Sequence, residues 1–265
     1  TVAVTGDGVN QAPALRAADI GIAMGQRGAQ TSREVASIVL LDDSFDTIVR
    51  AIAEGRQLFR NLRLSFPYVL MVHGPLVATA AVIPFMGEPL LYLPAHIVWL
   101  ELIFHPTALL VFQELPREGG RGIGAKSAAR FFNGAQWAVI AGVGALTAIA
   151  VFAAYQDALD AGQGAVYARS AALAHLVFCS AAIAAALSRL RTQTAIIVCT
   201  ATALSVVAFI QRSSSAALLH LTPLSWFDLL SAAGIAIAIG LLTLALYRTE
   251  WSTKRRPHAP DAHAA

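Results

Sequence analysis

Charge is what this sequence has least of. Of its 265 residues only 13% are Asp, Glu, Lys or Arg while 57% are hydrophobic, and the mean hydropathy is +0.62. Soluble globular domains run at about 25% charged and about 45–50% apolar residues. The composition excludes an ordinary soluble domain and implies a membrane protein. Cysteine is scarce too. Cys179 and Cys199 fall in separate apolar stretches with no CxxC, no CPC and no nearby histidine pair, which leaves a disulfide framework or a thiolate metal site without support. They read as small buried hydrophobes. An acidic excess is also lacking, for the formal net charge is +3. The Lys and Arg residues cluster beside apolar stretches, the habit of cytoplasmic loops, and do not form the basic face that nucleic acid requires. The first residues, TVAVTGDG, contain no charged leader or cleavage site and read as a buried strand entering a glycine turn. The expectation is the carboxy-terminal part of a longer protein.

Residues 1–41 alternate strand and helix patterns: 1–5 apolar, 12–18 helical, 20–24 apolar, 31–36 helical, 38–41 apolar. That alternation predicts the last units of an α/β domain with a parallel sheet. Some 40 residues cannot cover both faces of such a sheet, so further strands are expected upstream. Ser44 or Asp43 is placed to cap a helix starting near Phe45, with Asp46 in its first turn and Ile48, Ile52, Phe59 and Leu62 on one stripe. Residues 44–63 then form a stalk of about 30 Å at 1.5 Å per residue, a rod able to carry movement of a soluble domain into a bilayer.

Six apolar stretches follow, at 64–86, 93–114, 134–155, 166–188, 193–211 and 227–247, each near the roughly 20 residues that a hydrocarbon core of about 30 Å requires. Basic residues mark alternate linkers: Arg50, Arg56, Arg60 and Arg63 before the first span, Arg117, Arg121, Lys126 and Arg130 after the second, Arg189 and Arg191 after the fourth, and Arg248, Lys254, Arg255 and Arg256 after the last. The linkers at 87–92, 156–164 and 211–223 are poorer in them, which puts both ends of the chain in the cytoplasm. The predicted fold class is a mainly α-helical polytopic membrane protein. Its parts are a partial α/β domain over 1–43, a stalk over 44–63, a transmembrane region over 64–247 and a tail over 248–265.

Residues 5–15 read TGDGVNQAPAL. An aspartate between two glycines at a strand end lets a phosphate or hydrated cation approach the backbone, and its hard carboxylate oxygen suits Mg²⁺. A GDG turn read alone is also a common structural turn. The eleven-residue run, however, continues through ADIGIAMG at 18–25 and a DD-F--I---I-EGR pattern at 42–56. Together these resemble P-type cation-transporting ATPases of type II, whose motif is TGDGVNDAPAL. The resemblance is close to residue 56, partial to 112, and beyond that one of topology. It implies a haloacid-dehalogenase-like phosphorylation domain, with Asp7 holding Mg²⁺, Asn10 meeting the phosphoryl group, and Thr5, Gly6 and Gly8 shaping the site. It also implies ATP, bound by a domain upstream. Gln11 stands where the family has a second aspartate, and a neutral amide cannot supply charge to Mg²⁺. The expectation is weaker metal binding or slower transfer.

Ionisable groups inside apolar spans are functional candidates. Glu101 and His105 lie four residues apart on one helix face. Pro106 has no N–H for the carbonyl of Leu102, and Pro75, two residues after His73, has none for that of Met71. Two interrupted helices offering a carboxylate, imidazoles and freed carbonyls make a candidate cation site. Packing, with Glu101 hydrogen-bonded to His105, is the alternative. The family keeps transported-cation ligands on these two helices. WLELIFHPTA at 99–108 lies over the calcium pumps' WVNLVTDGLPA, so Glu101 replaces an asparagine and His105 a calcium-binding aspartate. A proton, a monovalent cation or a softer divalent ion remains open. His175, Ser170 and Ser180 read as packing groups, and His220, His258 and His263 as solvated.

Copper-type pumps have two spans after this motif, whereas six follow here. The resemblance therefore implies part of a cation pump in the cell membrane, whose partners are the transported cation, the lipid bilayer and the upstream part of the same pump. The sequence has no DKTGT phosphorylation motif, nucleotide-binding domain or TGE loop, all of which the family needs, so this chain alone is expected to be inactive. The alternative is a truncated, non-catalytic membrane module acting as a binding or regulatory subunit. A tethered soluble phosphatase is disfavoured because the nucleophile is absent.

Overall fold

The computed structural model describes residues 1–113 and 131–252, with side chains to 248. The basic linker with Arg117, Arg121, Lys126 and Arg130, and the tail with Lys254, Arg255, Arg256, His258 and His263, lie outside the described residues. The chain divides into two compact units, Thr1–Phe59 and Arg60–Ala265.

The first unit holds a parallel sheet of three strands, β1 (Ala3–Gly6), β2 (Ile20–Met24) and β3 (Ile38–Leu40), in the order β1-β2-β3. Ala3 pairs with Ile20, and Ile22 with Ile38. Two short helices, α1 (Ala12–Ala17) and α2 (Gln30–Val35), make the crossovers, as parallel strands require. Pro13 sits in the first turn of α1, where its missing N–H costs nothing. Leu15, Ile22, Ala23 and Leu40 form the buried side of this unit.

Helix α3 runs unbroken over Phe45–Phe85, about 60 Å at 1.5 Å per residue and about twice a hydrocarbon core. It starts at Phe45 as expected, but of the two capping candidates Asp43 is engaged elsewhere. Asp42 accepts from Ser44 N at 3.2 Å and from Thr47 Oγ1 at 2.6 Å, while Asp43 turns back to the loop after β2. There it accepts from Gly25 N at 2.6 Å, Gln26 N at 3.0 Å and Arg27 N at 2.8 Å. These bonds favour the ionised forms and hold both carboxyls below the usual range, Thr47 contributing most at Asp42 and the Gln26 amide most at Asp43.

In the second unit α3 is followed by α4 (Pro94–Gln113), α5 (Gly134–Asp160), α6 (Gly164–Ser188), α7 (Gln193–Val206), α8 (Ser213–Leu218) and α9 (Trp226–Ser252). Among the described residues, six helices are long and apolar enough to cross a membrane; the fifth is α7 prolonged by a π-helical turn at Val207–Gln211. Helix α6 is the axis of the bundle. It packs against α4, α5, α7 and α9, and its alanines, Ala171, Ala172, Ala174, Ala184 and Ala186, are buried. Small residues let helices approach closely where lipid removes any hydrophobic drive between them. A Cβ on Gly240 of α9 would lie 3.0 Å from Ala182 Cβ and 3.1 Å from its carbonyl oxygen, so the α6–α9 crossing depends on that glycine.

Large apolar side chains cover the outside, among them Val77, Leu102, Ile149, Ile197, Ile237 and Leu241. An exposed apolar exterior of this extent is a surface for lipid. The short loops at one end are tied by side chains: Tyr155 donates to the carbonyl of Pro89 at 2.6 Å, Arg169 to that of Leu90 at 2.8 Å, and His96 Nε2 lies 2.6 Å from that of Leu219. Tyr167 and Ser225 both donate to Asp228.

Candidate functional sites

In the first unit the TGDG run leaves the sheet at the end of β1, and Asp7 is the first residue beyond it. The loop is held from two sides. Ala29 N donates to the Asp7 carbonyl at 2.6 Å, and Ser32 Oγ to that of Gly8 at 2.8 Å. Gln11 folds back and its Oε1 accepts from Asp7 N at 2.7 Å and Gly8 N at 3.4 Å. This needs Gly6, where a Cβ would stand 2.4 Å from that same oxygen. Gln11 thus has a task that the sequence reading missed: it organises the loop that presents Asp7. The residue three or four places after the aspartate, with a side-chain oxygen able to reach back, was the signal available.

The side chains of Asp7 and Asn10 are exposed and make no hydrogen bond or ion pair among the described residues. A carboxylate left unengaged at a glycine turn, beside backbone already satisfied by its neighbours, fits a hard cation that keeps most of its water. Thr5 and Gly6 end the strand, and Gly8 starts the 3₁₀ turn Val9–Gln11.

In the second unit the membrane candidates come together. His105 Nδ1 lies 2.6 Å from Glu101 Oε2 along α4, and His73 Nε2 of α3 lies 3.4 Å from Glu101 Oε1. One ligand atom from each of the three falls within 4.8 Å of the others. The His73 and His105 rings meet edge to face at 5.8 Å, and Phe104 flanks His73 at 5.6 Å. Exposure rises from 26% at His73 and 34% at Glu101 to 72% at His105, so the cluster is closed on the α3 side and open beyond His105. Pro75 and Pro106 do not interrupt their helices, contrary to the expectation. Each removes one donor, leaving the carbonyls of Met71 and Leu102 without their usual partner, but the remaining bonds carry the helix through.

The other singled-out polar groups of the bundle are bonded locally. His175 Nδ1 lies 2.8 Å from the carbonyl of Ala171, and Ser180 donates to Val177 at 2.8 Å. Ser170 donates to Val166 at 3.1 Å and accepts from Thr222 N at 2.9 Å. His220 is exposed. His96 went unnoticed in the sequence, yet it is fully buried, accepting from Leu93 N at 3.2 Å at the start of α4. A histidine two residues after Pro94, at a helix entry, was its only sign.

The family model described as "Cation transporting ATPase, C-terminus" matches residues 89–248. A calcium-transporting ATPase of Plasmodium falciparum is 45% identical over 103 residues, which is 39% of this chain and 8% of that protein. The endoplasmic reticulum-type calcium-transporting ATPase 2 of Arabidopsis thaliana is 37% identical over 127 residues, 44% of this chain and 12% of that protein. The human sodium/potassium-transporting ATPase subunit alpha-4 is 48% identical over 89 residues, 34% of this chain and 9% of that protein. The chain thus spans roughly a tenth of the length of the curated relatives it matches. With six membrane-length helices and a family match across most of the bundle, the chain belongs to the P-type cation-transporting ATPases, whose C-terminal part it matches.

Proposed function

We propose that this chain is the carboxy-terminal part of an ATP-driven cation pump, in which phosphoryl transfer in a cytoplasmic domain is coupled to ion movement across the plasma membrane. Residues 1–43 complete a haloacid-dehalogenase-like phosphorylation domain, 44–63 are its stalk, and 64–247 are its membrane region. Both ends lie in the cytoplasm, on the side of the Arg-bearing linkers. ATP and the phosphorylated aspartate belong to the part of the pump upstream.

The observation that carries this reading is the meeting of His73, Glu101 and His105 across two apolar helices in a member of a cation-transporting family. Such groups are costly in a bilayer, and packing does not require three of them at one point. They are the transported-cation site of the proposal. Mg²⁺, when bound, neutralises charge on the transferred phosphoryl group. Asp7 holds it, Asn10 orients the phosphoryl oxygens, and Gln11 keeps the Asp7 and Gly8 amides fixed in the loop.

The test is ATPase activity across a cation panel in a longer protein carrying this chain, with Glu101→Gln and His105→Ala. Activation by one cation should weaken by about tenfold or more in each variant, while the Mg²⁺ requirement stays the same. Unaltered cation dependence in both variants sinks the site.

A further inference from the structure

We propose that the His73–Glu101–His105 cluster selects a borderline divalent transition ion, of the Zn²⁺ or Co²⁺ kind, over protons, alkali ions and Ca²⁺. This rests on reading the cluster as the pump's cation site, and it names the class of cargo.

The argument begins with the tautomer of His73. Its Nδ1 lies 3.1 Å from the carbonyl oxygen of Val69, and a carbonyl only accepts, so Nδ1 carries the proton. Nε2 then offers a lone pair toward Glu101 Oε1, itself an acceptor, at 3.4 Å. Two acceptors face each other, and something positive belongs between them. A proton shared by imidazolium and carboxylate draws N and O to about 2.7–2.9 Å. Metal bonds of about 2.0–2.2 Å in a tetrahedron instead hold neighbouring ligand atoms about 3.3–3.6 Å apart. The 3.4 Å between His73 Nε2 and Glu101 Oε1 falls in the second range. A backbone carbonyl on the far nitrogen of a ligating imidazole is also the usual way to fix its tautomer and aim, and Val69 supplies it within the same helix.

The donor set fixes the class of ion. Two imidazole nitrogens and one carboxylate suit Zn²⁺, Co²⁺ or Ni²⁺, whereas Ca²⁺ takes 6–8 oxygens and, among the described residues, the cluster holds a single carboxylate, that of Glu101. Three protein ligands leave a fourth position open, on the side where His105 is exposed. An ion that must leave again needs such an incomplete shell.

His105 is the part that must rearrange. Its Nδ1 lies 2.6 Å from Glu101 Oε2, yet that oxygen has no hydrogen-bond partner among the described residues, and the pair stands closer than two ligands of one tetrahedral ion. Binding through that nitrogen requires the ring to turn away from Oε2.

The experiment uses the full chain in nanodiscs, purified without a metal-affinity tag and with His220, His258 and His263 replaced by alanine. It is titrated with Co²⁺ while visible absorption is recorded. The expected result is saturation at one Co²⁺ per chain and the intense spectrum of a tetrahedral site. Zn²⁺ should displace the Co²⁺ and a large excess of Ca²⁺ should not. His73→Ala, Glu101→Gln and His105→Ala should each weaken binding more than about tenfold. Circular dichroism checks the fold of each variant, with His73→Gln replacing any His73→Ala chain that does not fold. No Co²⁺ binding, displacement by Ca²⁺, or affinity unchanged in all variants overturns the inference. If Co²⁺ does not bind but Glu101→Gln still shifts activation by a proton, alkali ion or Ca²⁺ in the ATPase panel, the pump site stands and only its ion class is wrong. If Co²⁺ binds as expected but the panel shows no shift, the pump-site reading falls.

Discussion

The two candidate sites solve opposite problems. At the end of β1 the backbone is tied down and the key side chain is left loose: Gln11, Ala29 and Ser32 hold the loop, and the Asp7 carboxylate has no partner among the described residues. Between α3 and α4 the reverse holds, for both oxygens of Glu101 lie against histidine nitrogens, at 3.4 and 2.6 Å. The difference follows from solvent. A carboxylate in water costs nothing while it waits, so preorganising the loop around it is sufficient. A carboxylate among apolar helices must be paired at all times, so an arriving ion has to exchange with what is already there. The first site is built for availability and the second for exchange.

Changes at three positions test that contrast, in descending order of effect. Asp7→Asn keeps the shape of the loop but removes the unengaged charge. In a longer protein carrying this chain, Mg²⁺-dependent phosphoryl transfer should fall by at least about 100-fold, while Co²⁺ binding to the isolated chain stays unaltered. A fall in Co²⁺ binding as well means that the two sites are not independent.

Gln11 comes next. Gln11→Ala removes the oxygen that holds the Asp7 and Gly8 amides, a loss of about 1 kcal/mol per hydrogen bond. It should raise the Mg²⁺ concentration for half-maximal activity and speed proteolysis at residues 6–11. Gln11→Asp keeps an acceptor and adds charge, and should lower that Mg²⁺ concentration. A Mg²⁺ requirement unchanged from the parent in both variants means that the loop does not need Gln11.

The smallest effect concerns the carboxylates that are committed. The folded-state values of Asp42 and Asp43 lie below the ordinary aspartate value of about 3.9. Their stabilisation is therefore fully present above that value and is lost as pH falls through the lower, folded-state value. Hydrogen exchange of the Gly25, Gln26 and Arg27 amides, compared between the native chain and Asp43→Asn, should differ at neutral pH and converge in acid. A difference that does not shrink as the carboxylates are protonated in acid means that charge is not what holds this loop.

Much of the architecture was legible because it follows from periodicity and length. The strands at 20–24 and 38–41 were found to within a residue, and the stretches at 134–155 and 227–247 fall inside α5 and α9. What escaped depends on geometry that sequence spacing does not encode. The pair Glu101 and His105 follows from four-residue spacing, but the distance of His73 from Glu101 depends on how α3 and α4 are set against each other. Asp43 was expected, with Ser44 as the other candidate, at the helix cap because the two precede an apolar stripe. The Asp43 backbone has a positive φ of 48° and its carboxylate is bonded to the β2 loop instead, while Asp42 holds the Thr47 hydroxyl in the first turn. Helix α8 sits in a linker whose Ser-rich run reads as a loop, and the π-helical turn at Val207–Gln211 ends the apolar stretch at 193–211, whose composition does not distinguish it from α-helix.

The division of labour between Asp42 and Asp43 has a mechanical consequence. One grips the opening turn of the 41-residue helix α3 and the other grips three consecutive amides after β2, yet their Cα atoms are separated by one peptide unit of about 3.8 Å. There is no slack in that joint. Any shift of the β2 loop greater than these hydrogen bonds can stretch has to pull on the first turn of α3, so the two aspartates act as a coupling pin with no play.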